Sequence, residues 1–337
     1  MTVKHRDGSY EVGQDSLRVA LEKYSDAFVI TDDNVRKFWL PDFKGNLRSL
    51  PPGEESKSLE QLEASLKWLA DSRATRSSVV VALGGGVIGD LAGFAAATYM
   101  RGVTLIQIPT TLLAMVDSSV GGKVAINLPQ GKNLVGAFYP PSEVIIDIRT
   151  LSTLPIREFN SGAAEIWKYG AIADWPLFES LELKPLGPGD ERITQIVMRC
   201  VEIKRDIVQV DEFETTGRRA TLNFGHTVGH AIENVAGYGQ LLHGEAISIG
   251  MVAEASIGEN LGISPPGIST RLKSGLKSQG LPVQTDLNPA GLIEAMRLDK
   301  KAAPTGLAFA LLDGYGSCKL VPDVPEKVVL ECLREHL

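Results

Sequence analysis

The sequence predicts two domains, an α/β domain over residues 1–150 followed by an all-α domain over residues 151–337. The first prediction rests on short β-branched runs that alternate with helical periods, as in a parallel sheet covered by helices on both faces. The second rests on long helical periods after Leu154 with few β-branched runs. A chain of 337 residues is also long enough for two hydrophobic cores, since a domain takes roughly 150 residues.

The individual elements follow from periodicity. Strands are predicted where apolar, β-branched residues run together, at 27–31, 79–83, 103–108 and 144–148. Helices are predicted where apolar residues recur at helical spacing or alanine is abundant, at 59–69, 89–99, 156–175, 192–210, 226–236, 244–261 and 267–279. The strands and the first two of these helices alternate along the chain, which is why we assign them to one α/β domain.

Composition narrows the class of function. The chain has 41 Asp+Glu against 34 Lys+Arg, a net charge of −7, which disfavours nonspecific binding to nucleic acid or to an anionic membrane. Its three cysteines, Cys200, Cys318 and Cys332, are too widely spaced for a disulfide framework or a thiolate metal site. Neither the N-terminus nor the glycine-rich apolar segment at 78–100 has the pattern of a secretory signal or a membrane helix. We therefore expect a cytoplasmic protein without a nucleic-acid or membrane partner.

Two motifs point to chemistry. The glycine-rich turn at 84–90 joins a predicted strand to a predicted helix, where backbone N–H groups can bind a phosphate. A tight structural turn is the alternative, because the spacing is not G-x-G-x-x-G. Three of the five histidines, His226, His230 and His243, fall within eighteen positions. With a carboxylate from elsewhere they would suit a divalent ion such as zinc, and the alternative is that they are core or capping residues.

A third group of residues is cationic. Its members lie in or beside apolar or glycine-rich segments instead of on a solvated face: Arg101, Lys123, Lys132, Lys168, Lys204 and Arg219. Cations in such surroundings usually pair with an anionic ligand or a buried carboxylate. Lys123 and Lys132 closely follow glycines, so we expect their ammonium groups to project from tight loops that a phosphate can approach. The group favours a polyanionic substrate, with ordinary surface lysines as the alternative.

Eight stretches of the chain, taken in order, resemble the 3-dehydroquinate synthase family of sugar-phosphate cyclases. They are residues 84–90, 99–102, 109–113, 117–123, 131–133, 162–170, 222–230 and 243–245. The resemblance implies a Rossmann-like NAD-binding α/β domain, a helical metal- and substrate-binding domain, and an active site in the cleft between them. It also implies a homodimer. The segment between Lys204 and Arg219 is one residue longer than the family pattern.

The resemblance further implies three sets of ligands. NAD is expected to contact Asp32, Asn34, Glu54, Lys57, Gly85, Gly86, Asp90, Thr110, Thr111, Asp117, Lys123, Lys132, Thr150 and Thr153. Zinc, with cobalt as an alternative ion, is expected on Glu165, His226 and His243. The substrate is expected on Arg101, Asp117, Lys123, Asn133, Lys168, Lys204, Arg219, Asn223, His230 and either Lys300 or Lys301.

The activity implied by the resemblance converts 3-deoxy-D-arabino-heptulosonate 7-phosphate to 3-dehydroquinate and phosphate in the shikimate pathway. Arg101 and Lys123 are expected to bind the phosphate, Arg219 the carboxylate, and His230 to position or move protons. One alternative is a sibling cyclase of the 2-deoxy-scyllo-inosose or 2-epi-5-epi-valiolone type, whose substrate would not need Arg219. Others are a polyol dehydrogenase of similar architecture, which would release NADH, and an inactive binding protein on the same fold.

Overall fold

The computed structural model describes residues 1–237, 239–299 and 307–336, the side chains of Asp299 and His336 excepted. Backbone contacts divide the chain into two compact units, Met1–Pro155 and Ile156–Leu337. Lys300 and Lys301, which were predicted to include a substrate ligand, lie outside the described residues. The assignment of NAD to the first domain and of metal and substrate to the second stays a prediction at this point.

The first unit is an α/β fold. In chain order its strands and α-helices are β1 (Thr2–His5), β2 (Gly8–Gln14), α1 (Leu17–Lys23), β3 (Phe28–Asp32), α2 (Asp33–Trp39), β4 (Asn46–Leu50), α3 (Leu59–Asp71), β5 (Val79–Gly84), α4 (Gly86–Thr98), β6 (Thr104–Pro109), β7 (Lys123–Leu128), β8 (Gly131–Phe138) and β9 (Glu143–Ile146). Seven strands form one sheet in the order β1-β2-β9-β6-β5-β3-β4. Its pairs are parallel except β1 with β2, and β7 and β8 form a separate antiparallel hairpin.

Both faces of this sheet are apolar and covered by helices. Along β3 the side chains of Phe28 and Ile30 belong to one core cluster and that of Val29 to another, because successive residues of a strand point to opposite faces. The first cluster includes residues of α3 and α4, and the second includes residues of α1 and α2. The near-continuous apolar strands of the sequence are explained by this two-sided burial.

Parallel pairing brings several predicted ligands to one edge of the sheet. Strands β3, β5 and β6 pair in register and end level with one another, so Asp32, Gly85 and Thr110 lie together at their carboxyl ends. Strand β4 lies on one side of β3 and β5 on the other, which places a reversal of strand order between β3 and β5. Open parallel sheets bind their ligands at such a switch point.

The second unit is mainly helical. Its α-helices are α5 (Ile156–Ala173), α6 (Trp175–Leu183), α7 (Ile193–Val210), α8 (His226–Ala236), α9 (His243–Asn260), α10 (Ile268–Ser278), α11 (Pro289–Asp299) and α12 (Glu326–His336). Helix α9 is central, since it is buried along most of its length and contacts α5, α8, α10 and α12. The predicted order of an α/β domain followed by a helical domain is confirmed. No helix among the described residues is both long and apolar enough to cross a membrane.

The prediction of an all-α second domain is incomplete. The unit also contains an antiparallel hairpin of β10 (Leu307–Gly314) and β11 (Ser317–Val324). The hairpin supplies Phe309 and Leu311 to the same core cluster as α8, α9 and α12. The sequence did not predict this hairpin, because β10 is a short and nearly continuous apolar run without the alternation of a half-exposed strand.

Candidate functional site

The three predicted metal ligands converge in the second unit. Glu165 lies in the middle of α5 and is fully buried, while His226 and His243 are the first residues of α8 and α9. Oε1 of Glu165 is 3.4 Å from Nε2 of His226 and 3.4 Å from Nε2 of His243. One ligand atom from each residue lies within 4.8 Å of the other two. One carboxylate and two imidazoles at this separation can bind a single divalent ion.

The environment of His226 fits a bound cation. Nδ1 of His226 is 3.1 Å from the carbonyl oxygen of Phe224, which can only accept a hydrogen bond, so Nδ1 carries the hydrogen and Nε2 presents a lone pair. Burial lowers the pKa of His226 to about 3, and the charge of Lys168 acts in the same direction. A lone pair of a neutral ring therefore faces an oxygen of Glu165 at 3.4 Å. A metal ion between these two atoms would turn their repulsion into coordination.

His243 is held between two carboxylates. Its Nε2 is 3.4 Å from Glu165 and its Nδ1 is 3.5 Å from Oε2 of Glu233. Burial would lower the pKa of His243, but hydrogen bonds to these two carboxylates raise it to about 10. A carboxylate on the outer nitrogen is a recurrent means of orienting a metal-binding histidine. Glu233 was not predicted from the sequence, although its position three residues after His230 places both on one face of α8.

The segment His243-Gly244-Glu245 joins the start of α9 to α5. A Cβ on Gly244 would lie 1.9 Å from the carbonyl oxygen of Ser161, and the Gly244 N–H donates to Ser161 Oγ at 3.0 Å. Glu245 accepts a hydrogen bond from the N–H of Leu242 at 2.8 Å. Both oxygens of Glu245 also bind Arg157 of α5, at 2.7 and 2.8 Å. These contacts hold the histidine of α9 against the helix that carries the carboxylate ligand.

Helices α8 and α9 cross at three glycines. Gly225 precedes α8 in the left-handed conformation, with φ of 82°, and a Cβ there would lie 2.5 Å from Met251. A Cβ on Gly229 would lie 2.6 Å from Ile247, and one on Gly250 would lie 2.0 Å from the carbonyl oxygen of Gly225. The helices can approach this closely only without side chains at these positions, and the approach sets the separation of the two histidine ligands.

Three cations predicted to bind the substrate are buried in the second unit. Lys168 of α5 contacts Oε2 of Glu165 through its ammonium group. Lys204 of α7 and Arg219 are also buried, and Arg219 begins the short 3₁₀ turn Arg219–Asn223. Helices α5 and α7 contact each other and both contact this turn. The three cations therefore give adjoining elements of this unit a positive charge, which suits an anionic ligand.

One carboxylate fixes the loop that precedes Arg219. Asp211, at the end of α7, accepts hydrogen bonds from the N–H groups of Thr215 at 2.7 Å, Thr216 at 3.1 Å and Arg219 at 3.0 Å. The bond from the Arg219 N–H is the largest reason why the pKa of Asp211 lies well below its ordinary value. The backbone position of the predicted carboxylate-binding arginine is therefore set by Asp211.

Among the described members of the predicted substrate set in this unit, Asn223 and His230 are exposed. Nδ2 of Asn223 donates to Oε1 of Glu214 at 3.1 Å, and Glu214 has a left-handed backbone with φ of 58°. The ring of His230 is centred 5.4 Å from that of His226 and 6.0 Å from that of His243. His230 thus lies next to the metal ligands, where it can accept or donate a proton.

In the first unit, three predicted ligands meet at a fourth, the buried Lys57. Nζ of Lys57 is 2.5 Å from Oδ2 of Asp90 and 3.8 Å from Oε1 of Glu54, and it donates to Oδ1 of Asn133. Nδ2 of Asn127 donates to the same oxygen of Glu54 at 2.8 Å. The cluster connects α4 to the β7–β8 hairpin, and Asn133 has a left-handed backbone there, with φ of 57°.

The glycine-rich turn starts α4 at the edge of the sheet. Gly85 is the N-cap of α4 and offers no capping side chain, so an anion can bind the first N–H groups of the helix. A Cβ on Gly85 would lie 2.9 Å from Thr111, and one on Gly86 would lie 3.1 Å from Ser118. Thr110 is buried beside them. Packing alone therefore favours glycine at these positions, and their contact with NAD stays a prediction.

Other predicted NAD ligands have structural roles at the ends of elements. Asp32 accepts from the N–H of Asn34 at 2.9 Å and so caps α2, while burial raises the pKa of Asp32. The hydroxyl of Thr150 donates to the backbone three residues earlier at 2.8 Å. The hydroxyl of Thr153 accepts from Nε1 of Trp39 at 2.8 Å.

The remaining predicted ligands of the first unit lie in unusual backbone or at the starts of strands. Arg101 is exposed and has φ of 68°, and Asp117 lies in the one-turn π-helix Ala114–Ser118. Left-handed residues and π-turns occur often at functional sites. Lys123 and Lys132 are the first and second residues of β7 and β8, so the expectation of tight loops is wrong for both. The alternating burial along β7 explains why the segment forms a strand.

Two solved structures that share this fold at 26–27% identity are sugar-phosphate cyclases. The 2-epi-5-epi-valiolone synthase of Streptomyces hygroscopicus subsp. jinggangensis 5008, solved with NAD⁺ and Zn²⁺ bound, is 26% identical with a TM-score of 0.89, and 98% of each chain is covered. A 2-deoxy-scyllo-inosose synthase, complexed with carbaglucose-6-phosphate, NAD⁺ and Co²⁺, is 27% identical with a TM-score of 0.85, over 100% of this chain and 99% of that one. The fold, together with the cluster of Glu165, His226 and His243, defines the class of this chain as the sugar-phosphate cyclases.

Two family models match consecutive parts of the chain, 3-dehydroquinate synthase N-terminal over residues 48–161 and 3-dehydroquinate synthase C-terminal over residues 162–302. The 3-dehydroquinate synthase of Geobacter metallireducens is 50% identical over 276 residues, which cover 81% of this chain and 76% of the relative. The chain belongs to the 3-dehydroquinate synthase family. This confirms the family predicted from the eight stretches, and it favours that activity over those of the sibling cyclases.

Proposed function

We propose that the chain is a lyase that converts 3-deoxy-D-arabino-heptulosonate 7-phosphate to 3-dehydroquinate and phosphate, with NAD and a divalent metal ion as cofactors. The observation that carries this proposal is the convergence of Glu165, His226 and His243 on one point, in a chain of the 3-dehydroquinate synthase family. When bound, NAD supplies reversible hydride transfer and the metal ion polarises a substrate oxygen.

The metal ion is assigned to Glu165, His226 and His243. The carbonyl of Phe224 and the carboxylate of Glu233 fix the ring orientations of the two histidines. Three protein ligands leave coordination positions for substrate oxygens. The side chains thus supply both the ligands and the groups that orient them.

The anionic ends of the substrate are assigned to cations of this chain. Arg219 carries a planar guanidinium that can bind a carboxylate through two parallel hydrogen bonds. Arg101 and Lys123 are exposed and are assigned to the phosphate, whose negative charge grows as it leaves. The position of His230 beside the metal ligands suits it for moving a proton during the elimination. Lys168, buried against the carboxylate ligand, is assigned to a substrate oxygen near the metal.

NAD is assigned to the carboxyl edge of the parallel sheet. Asp32 and Gly85 lie at the level ends of β3 and β5, next to the reversal of strand order where such sheets bind ligands. Lys57 supports this edge indirectly, because it binds Asp90 of α4 while its own carbonyl accepts from the N–H of Asn127 at 2.8 Å. The cofactor site and the hairpin are thereby connected through one buried ammonium group.

We also propose that the enzyme is a cytoplasmic homodimer. Cys200, Cys318 and Cys332 are buried free thiols, which agrees with a reducing compartment. The homodimer is the arrangement that the family resemblance implies. Light scattering after size-exclusion chromatography distinguishes the monomer mass of 36.3 kDa from twice that mass.

The test of the proposed activity is phosphate release from 3-deoxy-D-arabino-heptulosonate 7-phosphate with catalytic NAD and added zinc, while absorbance reports net NADH. We expect phosphate and 3-dehydroquinate in equal amounts and no accumulation of NADH. A chelator should abolish turnover and zinc should restore it. His226→Ala should lose turnover that zinc does not restore, whereas His5→Ala, in β1, should match wild type. Phosphate release only from other sugar phosphates would identify a sibling cyclase, and NADH without phosphate would identify a dehydrogenase.

A further inference from the structure

Glu254 is a buried carboxylate that has no role in the activity proposed above. It lies on α9, which is buried along most of its length, and is itself fully buried. Oε2 of Glu254 accepts a hydrogen bond from the N–H of Gly225 at 2.7 Å, and Oε1 accepts one from the N–H of Val228 at 3.0 Å. Both donors lie at the start of α8, on either side of the metal ligand His226.

The start of α8 needs an acceptor from outside its own chain segment. The first N–H groups of an α-helix have no partner within the helix, and a side chain at the N-cap usually accepts one of them. The N-cap here is Gly225, which lacks a side chain and leaves no room for one, because a Cβ would lie 2.5 Å from Met251. Glu254 supplies the acceptor oxygens from the neighbouring helix. Its negative charge also faces the positive end of the α8 dipole.

This arrangement acts on the metal ligands through the helix starts. His226 is the first residue of α8, and His243 is the first residue of the helix that carries Glu254. Two hydrogen bonds that one carboxylate accepts therefore connect the turn that bears one ligand to the helix that bears the other. Metal–ligand distances in well-formed sites lie within about 0.2 Å of their usual values, so a small rotation of the first turn of α8 is enough to weaken coordination.

We infer that Glu254 is a positioning residue for the metal centre, which fixes His226 relative to His243 by binding the first turn of α8 to α9. The inference rests on the proposed function, because the metal ion is the one assigned to Glu165 and these two histidines. Glu254 is assigned this role through its two hydrogen bonds to the backbone of α8, and not as a ligand of the metal ion.

The chain offers a matched control on the same helix. Glu259 of α9 accepts from the N–H of Ser269 at 3.0 Å and from its hydroxyl at 2.7 Å, and Ser269 lies in the first turn of α10. Glu254→Gln and Glu259→Gln each remove one charge from α9 and disturb the start of one neighbouring helix. Only the first substitution disturbs the helix that carries a metal ligand.

Both variants are compared with wild type and His226→Ala in three measurements on the full chain. These are the zinc dissociation constant by competition with a chromophoric chelator, the visible absorption of the cobalt-loaded protein, and the unfolding temperature of the metal-free protein. We expect Glu254→Gln to bind zinc about 10–100-fold more weakly than wild type and to change the cobalt spectrum. Glu259→Gln should keep the wild-type zinc affinity and cobalt spectrum, even where it lowers the unfolding temperature.

The outcomes separate the inference from the proposed function. If wild type binds no zinc, or His226→Ala binds it as tightly as wild type, the metal assignment itself fails and the inference fails with it. If wild type binds zinc and His226→Ala does not, an unchanged affinity in Glu254→Gln overturns the inference alone. An equal loss in both glutamine variants overturns it as well. If Glu254→Gln does not fold, Glu254→Asp replaces it, because the shorter carboxylate cannot reach both N–H groups. Unchanged zinc affinity in Glu254→Asp would also overturn the inference.

Discussion

The crossing of α8 and α9 predicts the effect of one added methyl group. In Gly250→Ala the new Cβ would lie 2.0 Å from the carbonyl oxygen of Gly225 and 2.9 Å from the amide nitrogen of Gly229. Cβ contacts under 3.0 Å essentially never occur, and both neighbours are backbone atoms, so the helices must separate by about 1 Å. Overpacking of this kind costs about 1–3 kcal/mol of stability. For a unit of this size the unfolding temperature should fall by about 2–12 °C.

The same separation acts on the metal ligands, because His226 begins α8 and His243 begins α9. A shift of about 1 Å far exceeds the tolerance of a zinc site, so the zinc affinity of Gly250→Ala should fall by about tenfold or more. Thermal unfolding of the metal-free protein and chelator competition measure the two effects. The control is Gly291→Ala on α11, where a Cβ meets nothing within 4 Å. This variant should gain up to about 1 kcal/mol of stability, because alanine favours the helix over glycine. Wild-type stability and zinc affinity in Gly250→Ala would refute this reasoning.

Two further predictions concern the first unit. Lys57→Met removes a buried cation from Asp90, which should lower the stability of the fold by about 1–3 kcal/mol and weaken NAD binding. Thermal unfolding measures the first effect and a fluorescence titration with NAD measures the second. An unchanged unfolding temperature would contradict the prediction. Burial raises the pKa of Asp147, but hydrogen bonds from Arg149 and from the N–H of Leu17 outweigh it, so the pKa in the folded chain is below 3.8. The ionised carboxylate therefore stabilises the fold above that pH, and its contribution is lost as the pH falls below it. The stability difference between wild type and Asp147→Asn should shrink from pH 7 towards about pH 3, and a difference independent of pH would count against the assignment.

The sequence predicted best those elements that bury a continuous face. Strand β5 was predicted at 79–83 and is Val79–Gly84, and helix α8 was predicted at 226–236 and is His226–Ala236. The hairpins β7–β8 and β10–β11 were missed, because β7, β8 and β11 mix exposed and buried positions. The apolar run of β10 is short and lacks the alternation that would distinguish a strand from a buried helix. Such strands form through cross-strand pairing with distant residues, which a local period does not report.

The site was predictable from the sequence only in part. The spacing of His226 and His243 indicated a metal centre, but the third ligand, Glu165, followed from the family resemblance and not from its own surroundings. Glu254 left a signal that was not used, since it is the one charged residue in the otherwise apolar stretch 246–258 of α9, and a carboxylate buried there must be paired. Its partners could not have been predicted, because they are backbone N–H groups of another helix and any residue type supplies those.

The hydrogen bonds of Asp211 have a consequence for how this loop can change in evolution. The carboxylate binds the N–H groups of Thr215, Thr216 and Arg219 together, so the two ends of the loop are fixed to each other whatever path the chain takes between them. An added residue at 212–214 can be absorbed as a local bulge, and the left-handed backbone of Glu214 lies in this part of the loop. Selection should therefore preserve one aspartate and tolerate variation in loop length.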